Sequence, residues 1–148
     1  MSSIVAIALD STPLSLLCHP DPRIPVVAEI NLWLEARLLA GAVVYVPEIT
    51  DYEVRRELIR AGKRKSVRKL DALIRQAAYL PLDTATMRRA AELWAQARNR
   101  GTPTAPPEAL DADVILAAQA EKAGAIVATE NVGHLARFVT ARHWRDIT

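Results

Sequence analysis

Four carboxylates in this chain fall where a parallel α/β sheet would gather them. Asp10 ends the apolar run IVAIALD, Glu53 follows a second run within VVYVPEITDYE, and Asp111 and Asp113 open LDADVILAAQA. That segment leads into AIVATENVGH, which carries Thr129, Glu130 and Asn131 behind a further apolar run. In α/β sheets ligands bind outside the carboxyl ends of the strands, so these side chains share a claim on one pocket. Acids with nothing obvious to neutralise them suit a hard cation, Mg²⁺ or Mn²⁺. A cation so held suits a phosphate substrate, because it activates water and neutralises the charge that develops on the phosphoryl oxygens. The chemistry expected is therefore metal-dependent phosphodiester cleavage, with Asp10, Glu53, Asp111 and Asp113 as candidate ligands. Thr129 could hydrogen-bond a carboxylate or a metal-bound water, and Asn131 could orient one.

Each residue also has a structural reading. Asp10 could be a turn or helix N-cap residue. Thr50-Asp51-Tyr52-Glu53 matches a capping box, and Glu48, Asp51 and Glu57 are rival acids for any metal role. Asp111 is the natural N-cap of the helix it opens, with Asp113 at the second helical position, and acids are favoured there by the positive helix end. Thr129-Glu130-Asn131 could be a plain turn using Asn for left-handed geometry. His134 reads better as a neutral residue on the pocket rim than as a ligand, since hard cations prefer oxygen.

The charge distribution adds a second feature. Overall the chain is nearly balanced, 19 basic against 17 acidic residues, net +2, which by itself points to no partner. Yet Arg55, Arg56, Arg60, Lys63, Arg64, Lys65, Arg68 and Lys69 crowd one segment against Glu57 alone. A basic wall beside an acidic pocket suits a polyanion held by its backbone and cut at a metal. Arg55, Arg56, Arg60, Lys63, Arg64 and Lys65 are the candidate phosphate contacts, a solvated helical face being the competing reading.

A chain of 148 residues with 51% hydrophobic content suits a single domain with its own core. The single cysteine, Cys18, excludes an internal disulfide and suits a reducing cytoplasm. No apolar run approaches the ~20 residues of a membrane span, and the N-terminus has no basic region of the signal-peptide kind. Nucleotide-binding glycine loops, a nucleophile elbow and zinc-ligand spacing are all missing.

The elements that must position the acids alternate. Strands are expected at 4–9, 42–46, 79–82 (an edge, given Pro81) and 125–128, with a last short one at 143–147. Helices are expected at 26–39, 50–61, 66–77, 84–98 and 111–123, the last closed by Gly124, with helical turns after residue 10 and at 134–138. In the 84–98 helix the pattern points Met87, Ala91, Trp94 and Ala95 inward. Trp33 and the helix at 26–39 could form an apolar contact with a second copy. The prolines of 101–108 mark a loop beside the site. Such alternation predicts an α/β fold, a mainly parallel sheet of four to five strands flanked by helices.

In this order the segments resemble the PIN-domain family, and within it the VapC-type toxins, over nearly the whole chain. Asp113-Val-Ile-Leu-Ala-Ala-Gln-Ala is similar to the family's D-x-x-I-A-A-x-A segment, and Val127-Ala-Thr-Glu-Asn-Val-Gly-His to its V-T-x-N-x-x-D/H segment. Asp10, Glu53 and Asp113 match the family's first, second and third acids. The resemblance implies an endoribonuclease requiring Mg²⁺ or Mn²⁺, acting on tRNA, rRNA or messenger RNA. It also implies a homodimer, and a small antitoxin whose tail enters the active-site groove. The chain departs from the pattern at His134, where many members carry Asp. That leaves a second metal site to be completed by Asp111, Glu130 or the substrate. It also keeps open a non-catalytic module of the same fold that binds RNA or protein. A phosphotransfer domain of the flavodoxin-like kind is disfavoured, because no Lys ends the strand at 125–128.

Overall fold

A computed structural model of the chain describes residues 4–101 and 110–148; the proline-rich segment read as a loop lies outside them from residue 102 onward. The elements are β1 (Ala6–Leu9), α1 (Ser11–Cys18), α2 (Pro25–Leu39), β2 (Val43–Pro47), α3 (Glu48–Arg60), α4 (Arg64–Gln76), β3 (Ala78–Leu80), α5 (Thr84–Arg100), α6 (Asp111–Ala123), β4 (Ile126–Thr129), α7 (Val132–Leu135) and β5 (Ala141–His143), followed by a 3-10 turn, Trp144–Asp146. The strands form one sheet in the order β3-β2-β1-β4-β5. Every pairing is parallel, with Ala8 opposite Tyr45 on one side and Val127 on the other. The expected α/β architecture is the observed one, and β3 is indeed an edge strand, with Pro81 just beyond it.

The strand period of two splits the core cleanly. Ile7, Leu9, Val44, Val46 and Ala128 pack with Leu14, Leu17, Ile30 and Trp33 of α1 and α2 on one face. Ala8 and Val127 face the other way, onto Leu116 and Ala120 of α6. Both faces of β1 are covered, so Ile7, Ala8 and Leu9 are fully buried, as a continuous apolar run in a parallel sheet requires. The small side chains Ala117 and Ala118 let α6 pack closely under α5 at Ala90 and Leu93. Gly124 ends α6 in the left-handed region, φ 62°, where glycine bears no Cβ penalty.

Several expectations are corrected. The face of α5 that enters the core is Thr86, Ala90 and Leu93, one residue round from the expected stripe; Met87, Ala91 and Ala95 are exposed and Trp94 is half-buried. The first strand starts later than expected, since Ile4 and Val5 are exposed. The last strand lies earlier than expected, at Ala141–His143, and Trp144–Asp146 behind it is a 3-10 turn. Its cause is Trp144, which is buried against the edge of Trp33 with ring centroids 5.9 Å apart. Trp33 is thus a core residue, and its Nε1–H donates to the carbonyl of Ile147 at 2.8 Å; it offers no face to a second copy.

Candidate active site

Asp10 leaves β1 at the centre of the sheet and uses both carboxylate oxygens. Oδ1 accepts from the backbone N–H of Ser11 at 2.7 Å and so caps α1. Oδ2 accepts from the Thr129 hydroxyl at 2.7 Å. The cap and the site are therefore one side chain, held between neighbouring strands. Thr129 is fully buried at the end of β4, and its oxygen also accepts from the backbone N–H of Asn131 at 2.8 Å. Asn131 thus joins this network through its backbone, while its side chain is exposed; its φ of −118° is not the left-handed turn that asparagine often supplies.

The capping box at Thr50 does not form. Helix α3 starts directly behind Pro47, so Thr50 lies inside its first turn, and Glu53 is free to look elsewhere. Its Oε1 accepts from the Ser11 hydroxyl at 3.0 Å, and Arg56 approaches its other oxygen at 3.9 Å. The rival acids are engaged. Glu48 accepts from the backbone N–H of Leu82 at 2.7 Å. Asp51 accepts from Arg55 at 3.0 Å and from the Tyr79 hydroxyl at 2.8 Å. Glu57 is gripped by Arg60.

Asp113 is the third residue of α6 and half-buried. Burial pushes its carboxyl above the ordinary range, Asp10 pushes it further, and His134 and Arg137 act the other way. Burial likewise raises Glu53, against the Ser11 hydrogen bond, with Asp10 and Asp113 adding to the rise and Arg56 opposing it. Asp10, Glu53 and Asp113 thus feel one another's charge, which is what a common pocket does to three acids. Asp111 is placed differently. Leu110, not Asp111, stands at the N-cap, and Asp111 is exposed beside a cavity of about 380 Å³ with Met87, Ala91 and Trp94. Glu130 is exposed too and accepts from Trp144 Nε1 at 3.2 Å. Cys18 is buried and its thiol is pushed up to about 12, which makes it a poor nucleophile.

Two further residues of the site carry little signal in the sequence. Ser11 fixes Glu53; its only mark is its place immediately after Asp10. Gln119 is almost fully buried, donates to the carbonyl of Leu80 at 2.7 Å and accepts from the N–H of Ile49 at 3.2 Å. It thereby ties α6 to the end of β3 and the start of α3, the helix that carries Glu53. A lone polar residue among the alanines of α6 is the available clue.

The donor set suits a hard cation, being all oxygen: three carboxylates with Ser11 and Thr129 hydroxyls between them. Among the described residues no three His, Cys, Asp or Glu side chains close on one point as a ready-made cage. Mg²⁺ does not need one, since it keeps several waters and takes one or two carboxylates directly.

The basic segment divides. Arg55 bonds to Asp51 at 3.0 Å and Asp71 at 2.8 Å, Arg60 to Glu57, and Arg56 stands over the Tyr52 ring, 5.0 Å from its centroid, as well as near Glu53. Lys63, Arg64 and Lys65 are exposed and form no salt bridge among the described residues.

A central parallel sheet with acids collected beyond its strand ends is the layout of an α/β protein that binds a charged ligand at its carboxyl edge. The chain belongs to the PIN domain family, whose model matches residues 27–138. That span contains Glu53 and Asp113; Asp10 precedes it. Among solved structures, the chain is similar to FitAcB from Neisseria gonorrhoeae, at 26% identity over 95% of this chain and 99% of that one, TM-score 0.71. It is similar also to FitAB bound to an IR36 DNA fragment, at 27% identity over 96% and 97%, TM-score 0.70. VapBC2 from Rickettsia felis, bound to a DNA fragment from its promoter, shares the fold at 15% identity over 95% and 99%, TM-score 0.72. No curated protein matches the chain. Among the described residues no helix is long and apolar enough to cross a membrane.

Proposed function

We propose that this protein is the toxin of a toxin–antitoxin pair, a cytoplasmic endoribonuclease of the VapC type that uses Mg²⁺ or Mn²⁺. The observation that carries the reading is the mutual electrostatic coupling of Asp10, Glu53 and Asp113 beside the Asp10–Thr129 hydrogen bond. Asp10, Glu53 and Asp113 would hold the cation, directly or through its waters. When bound, such an ion supplies charge neutralisation at the scissile phosphate and a more acidic water. The chain supplies orientation. Thr129 fixes which oxygen of Asp10 faces the pocket, Ser11 fixes Glu53, and Arg56 can meet a phosphate oxygen. The resemblance to complexes named for two components supports a small protein partner, and the family resemblance supports a homodimer.

The test is cleavage of total RNA by purified protein with Mn²⁺, with Mg²⁺ and with chelator, beside Asp10→Asn and Asp113→Asn. Metal-dependent cutting lost in both folded variants is the expected result. Cutting by either variant at the parental rate removes the assignment. A folded parent, free of inhibitor, that binds RNA in chelator and cuts under no metal points to the second reading, a non-catalytic module; His134 in place of an acid is the observation on its side.

A further inference from the structure

At the far end of α1 from Asp10 lies a second concavity, of about 540 Å³, lined by His19, Gly62, Lys63, Lys65, Ser66 and Arg68 among others. Three independent observations meet there. The first is charge: Lys63, Lys65 and Arg68 are exposed and none forms a salt bridge among the described residues. Glu57, whose charge Lys63 opposes, is itself gripped by Arg60. The second is backbone: α4 begins at this cavity with no side-chain cap and no acid in its first turn; the Arg64 N–H donates to the carbonyl of Gly62 at 3.1 Å, while those of Lys65 and Ser66 are left at the positive helix end. The third is Ser66. It is only 4% exposed, it lines the cavity, and its hydroxyl has no hydrogen-bond partner among the described residues. Its oxygen is not among the fully enclosed unpaired atoms, so in an otherwise buried residue the hydroxyl opens onto the cavity, free to donate to a ligand there.

The geometry points to a phosphate-binding subsite at the N-terminus of α4, which takes a backbone phosphodiester of the RNA strand. The Ser66 hydroxyl and the N–H groups of Lys65 and Ser66 donate to the phosphate oxygens, and Lys63, Lys65 and Arg68 neutralise its charge. Lys69 is occupied elsewhere: it donates to the carbonyl of His19 at 2.9 Å and closes α1. Because α1 has eight residues, its ends are roughly 12 Å apart at 1.5 Å per residue. One strand can therefore occupy this subsite and the acidic pocket together. The inference rests on the reading of the chain as an RNA-binding nuclease, and it adds the place where the strand is held away from the cut.

The test separates the two. A labelled oligoribonucleotide is titrated in chelator, where nothing is cut, with the parent, Lys63→Ala/Lys65→Ala, Ser66→Ala and, as control, Arg23→Ala. The double variant is expected to bind about tenfold more weakly at low salt, and the slope of log K against log salt should fall by about 0.7 for each phosphate the variant no longer neutralises. Ser66→Ala changes no charge and is expected to weaken binding about fivefold; the control does not. In parallel, inorganic phosphate is titrated into the parent while its amide resonances are followed. Saturable shifts at Lys65 and Ser66 support the subsite even if Ser66→Ala misfolds. Parental RNA affinity in both variants overturns the subsite and leaves a cutting enzyme intact. Loss of affinity in the lysine variant alone, with no shifts at Lys65 and Ser66, means unspecific charge attraction and overturns it as well. A parent that binds but does not cut leaves the subsite standing and removes the nuclease.

Discussion

Replacing Thr129 with Val tests the site through stability before any activity is assayed. The two side chains have nearly the same shape, so packing in this fully buried position is preserved, while the hydroxyl is lost. Two interactions go with it: the donation to Asp10 at 2.7 Å and the acceptance from the Asn131 N–H at 2.8 Å. A hydrogen bond to a charged group contributes about 1.5–3 kcal/mol and a neutral one about 1 kcal/mol. Asp10 is half-buried and recovers part of its loss from water, so the net cost is about 2–4 kcal/mol. For a domain of this size that is a fall in Tm of roughly 4–16 °C. Urea titration is the assay, because a lower midpoint at an unchanged slope reports stability alone. Thr129→Ser keeps the hydroxyl and loses only a methyl group, and should fall by much less. The reasoning fails if Thr129→Val unfolds within about 0.5 kcal/mol of the parent, the ordinary scatter of a neutral substitution. If the nuclease reading holds, Thr129→Val also cuts more slowly than Thr129→Ser, since Asp10 is then free to turn.

Further outcomes follow from the same geometry. A divalent ion present at a hundredfold excess over its dissociation constant stabilises the fold by about 2.7 kcal/mol, a rise in Tm of roughly 5–11 °C; the same rise in Asp113→Asn would remove Asp113 from the ligand set. Without metal, the raised Glu53 and Asp113 carboxyls bind protons more tightly in the folded chain, so their contribution is fully present below the unfolded range near pH ~4 and is lost as pH rises through the folded values. Calorimetry from pH ~3 upward, beginning below the unfolded carboxyl range, should therefore show a smaller loss in Asp113→Asn than in the parent, and an equal loss contradicts the coupling. Gln119→Ala leaves the buried Ile49 N–H without its acceptor and should cost about 2–4 kcal/mol, readable in urea; a neutral result would mean that the α6–α3 tie carries nothing.

Much of this architecture is written in local pattern, and the exceptions share a cause. The strand β1 is legible because the continuous apolar run that ends in Ile7-Ala8-Leu9 suits burial on both faces, even though its first residues, Ile4 and Val5, lie outside the sheet and exposed. Helix α6 is legible because its acids, alanines and closing glycine agree. Helix α5 is not, because two apolar stripes share its surface. Met87-Ala91-Trp94 and Thr86-Ala90-Leu93 both satisfy helical spacing, and the choice is made by Val114, Ala117 and Ala118 of α6, which no local pattern contains. The same holds for Glu53. Locally it completes a capping box with Thr50, yet Pro47 starts the helix early and removes that use. Its real partner, Ser11, is 42 residues away. Trp144 and Trp33 meet in the same way: a 3-10 turn follows His143 where the strand is expected to run on, and Trp33 enters the core while Leu32, Leu38 and Leu39 of the same helix stay exposed.

His134, at the position where the family resemblance implies an acid, then reads as one part of a charge arrangement. Both candidate replacements are exposed and face other neighbours: Asp111 lines the cavity with Met87 and Trp94, and Glu130 accepts from Trp144. The groups that oppose the charge of Asp113 are His134 and Arg137, while Arg56 does the same for Glu53. Three acids faced by these groups carry less uncompensated negative charge than four acids would. If the nuclease reading holds, one divalent ion would be enough to balance such a pocket, and the remaining oxygen ligands it requires would come from water and from the phosphate of the substrate. A protein built this way would hold its ion weakly in the absence of RNA and more tightly in its presence. By linkage, RNA would bind more tightly with metal than without it, by the same factor. That makes paired titrations of Mn²⁺ with and without a non-cleavable RNA the natural measure of what the histidine does, since His134→Asp should raise the affinity for the ion alone and shrink the gap between the two curves.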